Sequence, residues 1–187
     1  MIDTNDLRSG TCFEFDGEYW QVTEFAHVKP GKGPAFVRVK IKNLRKGGIV
    51  ERTFKTDVKV EELRVENRNA TYLYNAGDEF VFMDSETYDQ VSIRTEQLGD
   101  KVGFMQENMG VSLIVCKDEV LDIELPLFIE TKIVKTDPGV KGDTAQGGSK
   151  PATIEGGAVI NVPLFVNEGD LVKVDTRDGR YIERVKK

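Results

Sequence analysis

Val37, Val39 and Ile41 alternate with Arg38, Lys40 and Lys42. A period of two places the apolar side chains on one face of a strand and the cations on the other. The pattern predicts a strand over residues 35–44. Upstream, residues 12–15 lead to Asp16-Gly17, a dipeptide suited to a two-residue hairpin turn. A second strand follows at 19–22. Gly47-Gly48 turns the chain again, into a strand over 49–54. About five short strands in ~60 residues predict a small SH3-like barrel.

The middle of the chain repeats the theme. Strands are predicted over 71–74, 79–83 and 89–94, with Asn75 to Asp78 as a turn. Leu98, Val102, Met105 and Met109 then recur at helical spacing. Thr95 is placed to cap this helix and Gly110 to end it. Gly99 and Gly103 weaken it by up to ~1 kcal/mol each relative to alanine. Two more strands, over 111–116 and 119–124, complete a set that suits an OB-type barrel. Pro126 cannot donate to a sheet ladder and punctuates the chain. Further strands are expected over 128–135, 157–162, 170–175 and 181–185. A long loop, 137–151, is rich in Gly, Asp and Thr; loops of that length in small barrels usually carry function or mobility. The expected architecture is all-β, with three consecutive small barrels over residues 1–64, 65–126 and 127–187.

Charge sharpens the division. The chain of 187 residues carries a net charge of −6, which by itself argues against nucleic acid. The charge is polarised, however. Residues 65–126 hold 4 basic against 13 acidic side chains, whereas residues 28–64 hold 11 against 4. A basic end beside an acidic middle can be presented to a polyphosphate. Hydrophobic residues at 39% and charged residues at 31% fit a globular chain. No apolar run approaches the ~20 residues that span a bilayer. Residues 1–6 have neither the basic nor the apolar region of a secretory signal, so a cytoplasmic protein with no membrane partner is expected. Cys12 and Cys116 form no CxxC pair, and His27 is the one histidine. Disulfide frameworks, metal sites and His-based catalysis are therefore not expected. Neither is a cofactor, since Gly147-Gly148-Ser149-Lys150 has the wrong order for a phosphate-binding Walker loop.

The segment Lys29-Pro30-Gly31-Lys32-Gly33-Pro34 stands apart. Two prolines fix their own φ angles around a Gly-Lys-Gly tip. Flanked by strands, this builds a stiff hairpin tip from which one cation projects. Alone, Lys32 reads first as a solvated turn lysine, and Arg38, Lys40 and Lys42 as a solvated edge. Together with Lys29 they make an electrostatic footprint for phosphates, with Lys32 reaching farthest. No paired carboxylates and no activated nucleophile are evident, so an enzyme is not expected.

Residues 27–38, His27-Val-Lys-Pro-Gly-Lys-Gly-Pro-Ala-Phe-Val-Arg38, resemble the tip and following strand of bacterial translation elongation factor P. Residues 74–84, residues 137–144 with 150–152, and residues 161–169 resemble that family's second-domain start, third-domain loop and closing motif. Four such segments in order span the whole chain. Ile160 stands where Leu or Val is usual, a conservative departure. The resemblance implies a KOW/SH3-like domain and two OB domains arranged as an L that resembles a tRNA. It implies a 70S ribosome partner, with the factor between the peptidyl and exit sites. Lys32 would reach the CCA end of peptidyl-tRNA, supported by Pro30, Gly31, Gly33 and Pro34, and relieve stalling at polyproline. Gly142, Asp143 and Thr144 would face the exit-site mRNA codon or tRNA, and Tyr181 and Arg184 the tRNA. By composition alone the first three form a turn, and Tyr181 is a half-buried strand aromatic. Lys150 is either a phosphate contact or a loop lysine. His27 is expected to support the tip from the barrel.

The tip residue in this family is often lengthened by a lysine-modifying enzyme. Here proline lies on both sides of the tip, as in a subset of the family in which a bare lysine suffices. A stiffer loop holds an unextended ammonium with less ordering cost, so an unmodified Lys32 is expected. The competing view is that Pro34 only shapes the hairpin. Two alternatives to the whole reading are the elongation-factor-P-like paralogue and a generic OB-fold single-stranded RNA-binding protein. The second would require aromatic and basic residues interleaved on the OB faces, against which the acidic middle stands. A monomer is expected.

Overall fold

The computed structural model describes residues 1–139 and 148–186. Among these the chain forms three antiparallel sheets. The first holds β1 (Ile2–Asp3), β2 (Cys12–Phe15), β3 (Glu18–Val28), β4 (Phe36–Asn43), β5 (Ile49–Lys55) and β6 (Lys59–Glu62). Its order is β1-β6-β2-β3-β4-β5. The Thr4 hydroxyl donates to the Lys55 carbonyl at 2.7 Å, and the Thr4 N–H to the Val58 carbonyl at 2.9 Å. These bonds bring the two edges of the sheet together into a barrel. Asp16 and Gly17 both take positive φ, 53° and 75°, and Phe15 pairs with Glu18. This is the primed two-residue turn that matches strand twist. Val37, Val39 and Ile41 are buried in a core with Leu7, Phe13, Trp20 and Phe54, as their alternation requires.

The second sheet holds β7 (Glu66–Asn75), β8 (Glu79–Asp84), β9 (Gln90–Arg94), β10 (Gly110–Cys116) and β11 (Glu119–Glu124), in the order β11-β10-β7-β8-β9. Between β9 and β10 the helix is far shorter than its apolar spacing predicts. Only α1 (Thr95–Leu98) is α-helical, and a 3-10 segment follows over Gly99–Phe104. Gly99 takes φ 59° and ψ −133°, outside the helical region, and Met105 is extended. Leu98, Val102, Met105 and Met109 still face one core. Burial of these side chains is thus achieved without a continuous helix, and the glycines are used for a bend.

The third sheet holds β12 (Phe128–Thr136), β13 (Ser149–Ile154), β14 (Val159–Pro163), β15 (Leu171–Asp175) and β16 (Arg180–Arg184), in the order β14-β13-β12-β15-β16. β13 was not expected, because Pro151 reads as a loop residue. The last β12–β13 pair is Thr136 with Ala152. Pro151 therefore sits just beyond that ladder, where its missing N–H breaks no β12 bond. Correspondingly, the long loop ends before Ser149 rather than at 151.

The sheets are joined by close interfaces. Cys12, Tyr19, Leu44 and Leu63 of the first pack with Cys116 and Leu121 of the second. Gly47, at φ 70°, leaves 2.1 Å between an added Cβ and the Glu96 carbonyl oxygen. Phe104 and Met109, from the segment after α1, pack against the core of the third sheet. There the Ala158 N–H donates to the Gly103 carbonyl at 3.2 Å.

Candidate nucleic-acid interface

The longest strand of the first barrel, β3, and its partner β4 are joined through residues 29–35. Val28 pairs with Phe36 at the end of that ladder, so the loop begins where the sheet stops. Lys29, Pro30, Gly31, Lys32, Gly33 and Pro34 are all exposed. Gly33 takes φ 113°, a conformation that L side chains rarely adopt. Lys32 makes no ion pair or side-chain hydrogen bond to any described residue. Its ammonium thus stands at the end of a proline-bracketed loop with its donors unengaged by any described residue. His27 is exposed on β3, opposite Val37. Its support of the tip is through backbone pairing, not through the core.

The row of cations on β4 does not behave as one surface. Arg38 lies 3.6 Å from Glu51 and stays exposed. Lys40 sits between Glu24 and Glu51 in the sheet register and meets Glu24 at 2.8 Å. The hydrogen bond to Glu24 raises its pKa, so it remains a cation. Lys42 departs from the expectation entirely. Its side chain is 15% exposed and its Nζ lies 2.7 Å from the buried Asp122 carboxylate of the second barrel. A lysine held there is not a phosphate contact. The approach of the second barrel, through Asp122, separates Lys42 from its neighbours, which no strand-level alternation records.

Sequence reasoning also passed over Lys55. It pairs with Phe36 at the tip end of the β4–β5 ladder and is exposed. Like Lys29 it has no ion pair with a described residue. The glycine pair did not reveal it: Lys42 pairs with Ile49, so the connection runs over residues 43–48, whereas a two-residue turn at Gly47-Gly48 would have set Phe36 opposite Lys59. Lys29, Lys32 and Lys55 together give the tip end of the barrel three exposed cations with no acidic partner among the described residues.

In the third barrel Lys150 is buried and donates to the Asp137 carbonyl. It closes the base of a loop and is not available to phosphate. Gly142, Asp143 and Thr144 lie outside the described residues. Tyr181 is half-buried against the barrel core, and burial raises its pKa. The Arg184 guanidinium lies 5.2 Å from the centroid of the exposed Phe165 ring and 3.7 Å from Asp170. Tyr181 and Phe165 line an open groove of about 900 Å³ between the edge strands β14 and β16.

Among the described residues no cluster of His, Cys, Asp or Glu could hold a metal ion. Burial, then the neighbouring Cys116, Asp122 and Glu124, pushes the Cys12 thiol up to about 11. A thiol so placed is the protonated, unreactive form at neutral pH.

Comparison with known proteins is consistent along the whole chain. Residues 3–60 match the elongation factor P KOW-like domain, residues 65–123 the elongation factor P OB domain, and residues 129–184 the elongation factor P C-terminal domain. The chain is 52% identical over 185 residues to elongation factor P of Pelotomaculum thermopropionicum, covering 99% of this chain and 100% of that protein. It is 53% identical over 184 residues to elongation factor P of Moorella thermoacetica, covering 98% and 100%. A solved structure of eukaryotic translation initiation factor 5A from Methanococcus jannaschii is similar over 67% of this chain and 90% of that one, with 22% identity and a TM-score of 0.49.

Proposed function

This chain belongs to the elongation factor P family of translation elongation factors, and from that premise we propose that it orients the CCA end of peptidyl-tRNA on the 70S ribosome, between the peptidyl and exit sites, and so relieves stalling at polyproline. The observation that carries this reading is Lys32: a cation with no partner among the described residues, at the exposed apex of a loop stiffened by Pro30 and Pro34. Proline is a poor nucleophile with a rigid ring, so its slow step is sensitive to the placement of the donor. Holding a reactant in a near-attack geometry lowers an entropic barrier without supplying an acid, a base or a nucleophile. Prolines on both sides of the tip restrict the free loop, so less binding energy is lost when the ammonium is ordered. Lys29 and Lys55 flank the base of the loop, where phosphates of the acceptor end would lie. The working form in this reading is the unmodified lysine.

Peptide synthesis through three consecutive prolines, with and without the protein, tests it. The protein should accelerate that synthesis and leave a proline-free message unchanged. Lys32→Ala should abolish most of the acceleration while its melting temperature stays near that of the parent, since an exposed turn side chain is worth within about 0.5 kcal/mol. Full acceleration by Lys32→Ala would remove this lysine from the mechanism.

A further inference from the structure

The Lys42 that leaves the cationic row ends at a buried node between the first two barrels. Asp122, on β11, is 1% exposed. Its Oδ2 accepts from Lys42 Nζ of the first barrel at 2.7 Å and from Lys101 Nζ of the second at 3.1 Å. Its Oδ1 accepts the Ile123 N–H at 2.8 Å. Lys101 also donates to the Ile123 carbonyl. Around the node, the Gln97 amide donates to both the Leu44 and Leu121 carbonyls, each at 3.3 Å. Arg45 pairs with Glu119 at 3.0 Å, and its guanidinium lies 4.0 Å from the Tyr19 ring centroid. The apolar part of the interface attracts the barrels, but apolar contact has no direction. A buried carboxylate shared by one lysine from each barrel does have direction, and fixing register is the best-attested use of such a group.

The lever arm makes this matter. Lys42 and Phe36 lie on one strand, six residues apart, which is about 20 Å at about 3.3 Å per residue. The tip loop extends beyond Phe36. A tilt of about 5° at the node thus moves the tip by about 2 Å, and a misplacement of about 1 Å is enough to cost ~100-fold in rate where orientation is the source of catalysis. We propose that Asp122 is a positioning residue for the tip: by gripping Lys42 and Lys101 together it fixes the angle between the first two barrels, and with it the place that Lys32 reaches. The proposal rests on the reading that Lys32 acts by orientation.

Spin labels at Thr53→Cys and Ser92→Cys, both exposed strand positions on different barrels, report the joint in the free full-length protein. The native cysteines are buried. Asp122→Asn should broaden the inter-label distance distribution. At saturating protein it should lower the maximal rate through three prolines about tenfold or more, with a much smaller change in the concentration giving half the effect. The triple variant Lys42→Met, Lys101→Met, Asp122→Leu replaces the node by apolar packing, which buried ionic groups commonly tolerate; it should restore both the narrow distribution and the rate. If Asp122→Asn fails to fold, Lys42→Met carries the same two measurements with the same expectation. An unchanged distribution overturns the proposal, as does a broadened one with full rate. Because the labels read the joint without a ribosome, a loose joint is told apart from a parent protein that fails to act at polyproline; the latter outcome would remove the functional reading and this proposal with it.

Discussion

Three lysines that look alike in the sequence have three different fates. Lys32 projects from the tip, Lys42 grips Asp122, and Lys150 is buried on the Asp137 carbonyl. For Lys32 the open chemical question is its covalent state. Intact-mass analysis of protein from its native host should return the unmodified mass; an addition mapped to the peptide containing Lys32 would overturn the bare-lysine reading. Asp175 offers a second residue-scale test. Its buried carboxylate accepts from Arg177 Nη2 at 2.7 Å, from Nε at 3.1 Å and from the Arg177 N–H at 2.9 Å. The Arg177 guanidinium first, and its backbone N–H second, hold the acid down to about 2. The unfolded value is about 3.9. The stabilisation is therefore fully present above that value and is lost as pH falls toward the folded one. Melting curves should show the parent more stable than Asp175→Asn at neutral pH, with the gap closing between about pH 4 and 2. A gap that stays constant over that window would refute the assignment.

At the scale of elements, turns were the most legible feature and the helix the least. The Asp16-Gly17 dipeptide specifies its turn by backbone sterics alone, and the structure has it. The spacing of Leu98, Val102, Met105 and Met109 records which side chains face the core, but a bent 3-10 path satisfies the same spacing. Periodicity could not distinguish the two. Gly47 shows how a turn also serves an interface. It combines positive φ with a Cβ position 2.1 Å from the Glu96 carbonyl oxygen, whereas a Cβ added at Gly31 meets no described atom within 4 Å beyond its chain neighbours. Gly47→Ala should therefore cost more than about 1 kcal/mol, and Gly31→Ala within about 0.5 kcal/mol. Urea unfolding of the two variants checks this, and equal losses would show that the interface yields to the extra methyl.

For the whole molecule, the distribution of free cations decides how a polyanion would be met. Arg38, Lys40 and Lys42 already have acidic partners, while Lys29, Lys32 and Lys55 have none among the described residues. Ribosome affinity should fall as salt rises, because phosphate contacts release counterions. Lys55→Ala should make the salt slope shallower by about 0.7–0.9, the value of one phosphate contact. Lys42→Ala should leave the slope unchanged even where it weakens binding. A Lys42 variant that flattens the slope by a full contact would return that lysine to the RNA face. Measuring affinity at several salt concentrations separates these outcomes.

The sequence by itself determined whatever depends on one residue and its near neighbours: strands from alternation, turns from glycine and its partners, and the tip from Pro30, Gly33 and Pro34. The exposed apex of Lys32 belongs to this class, since a short bracketed loop between strands has nowhere to go but outward. Tertiary structure alone decided what depends on two distant segments meeting. Lys42 and Asp122 stand 80 residues apart in the chain, and a period of two marks Lys42 as pointing away from its own barrel without saying that another barrel lies there. Lys150 likewise is buried by the fold around it, because whether a cation is solvated or enclosed is set by the packing of its neighbours and not by its place in a strand.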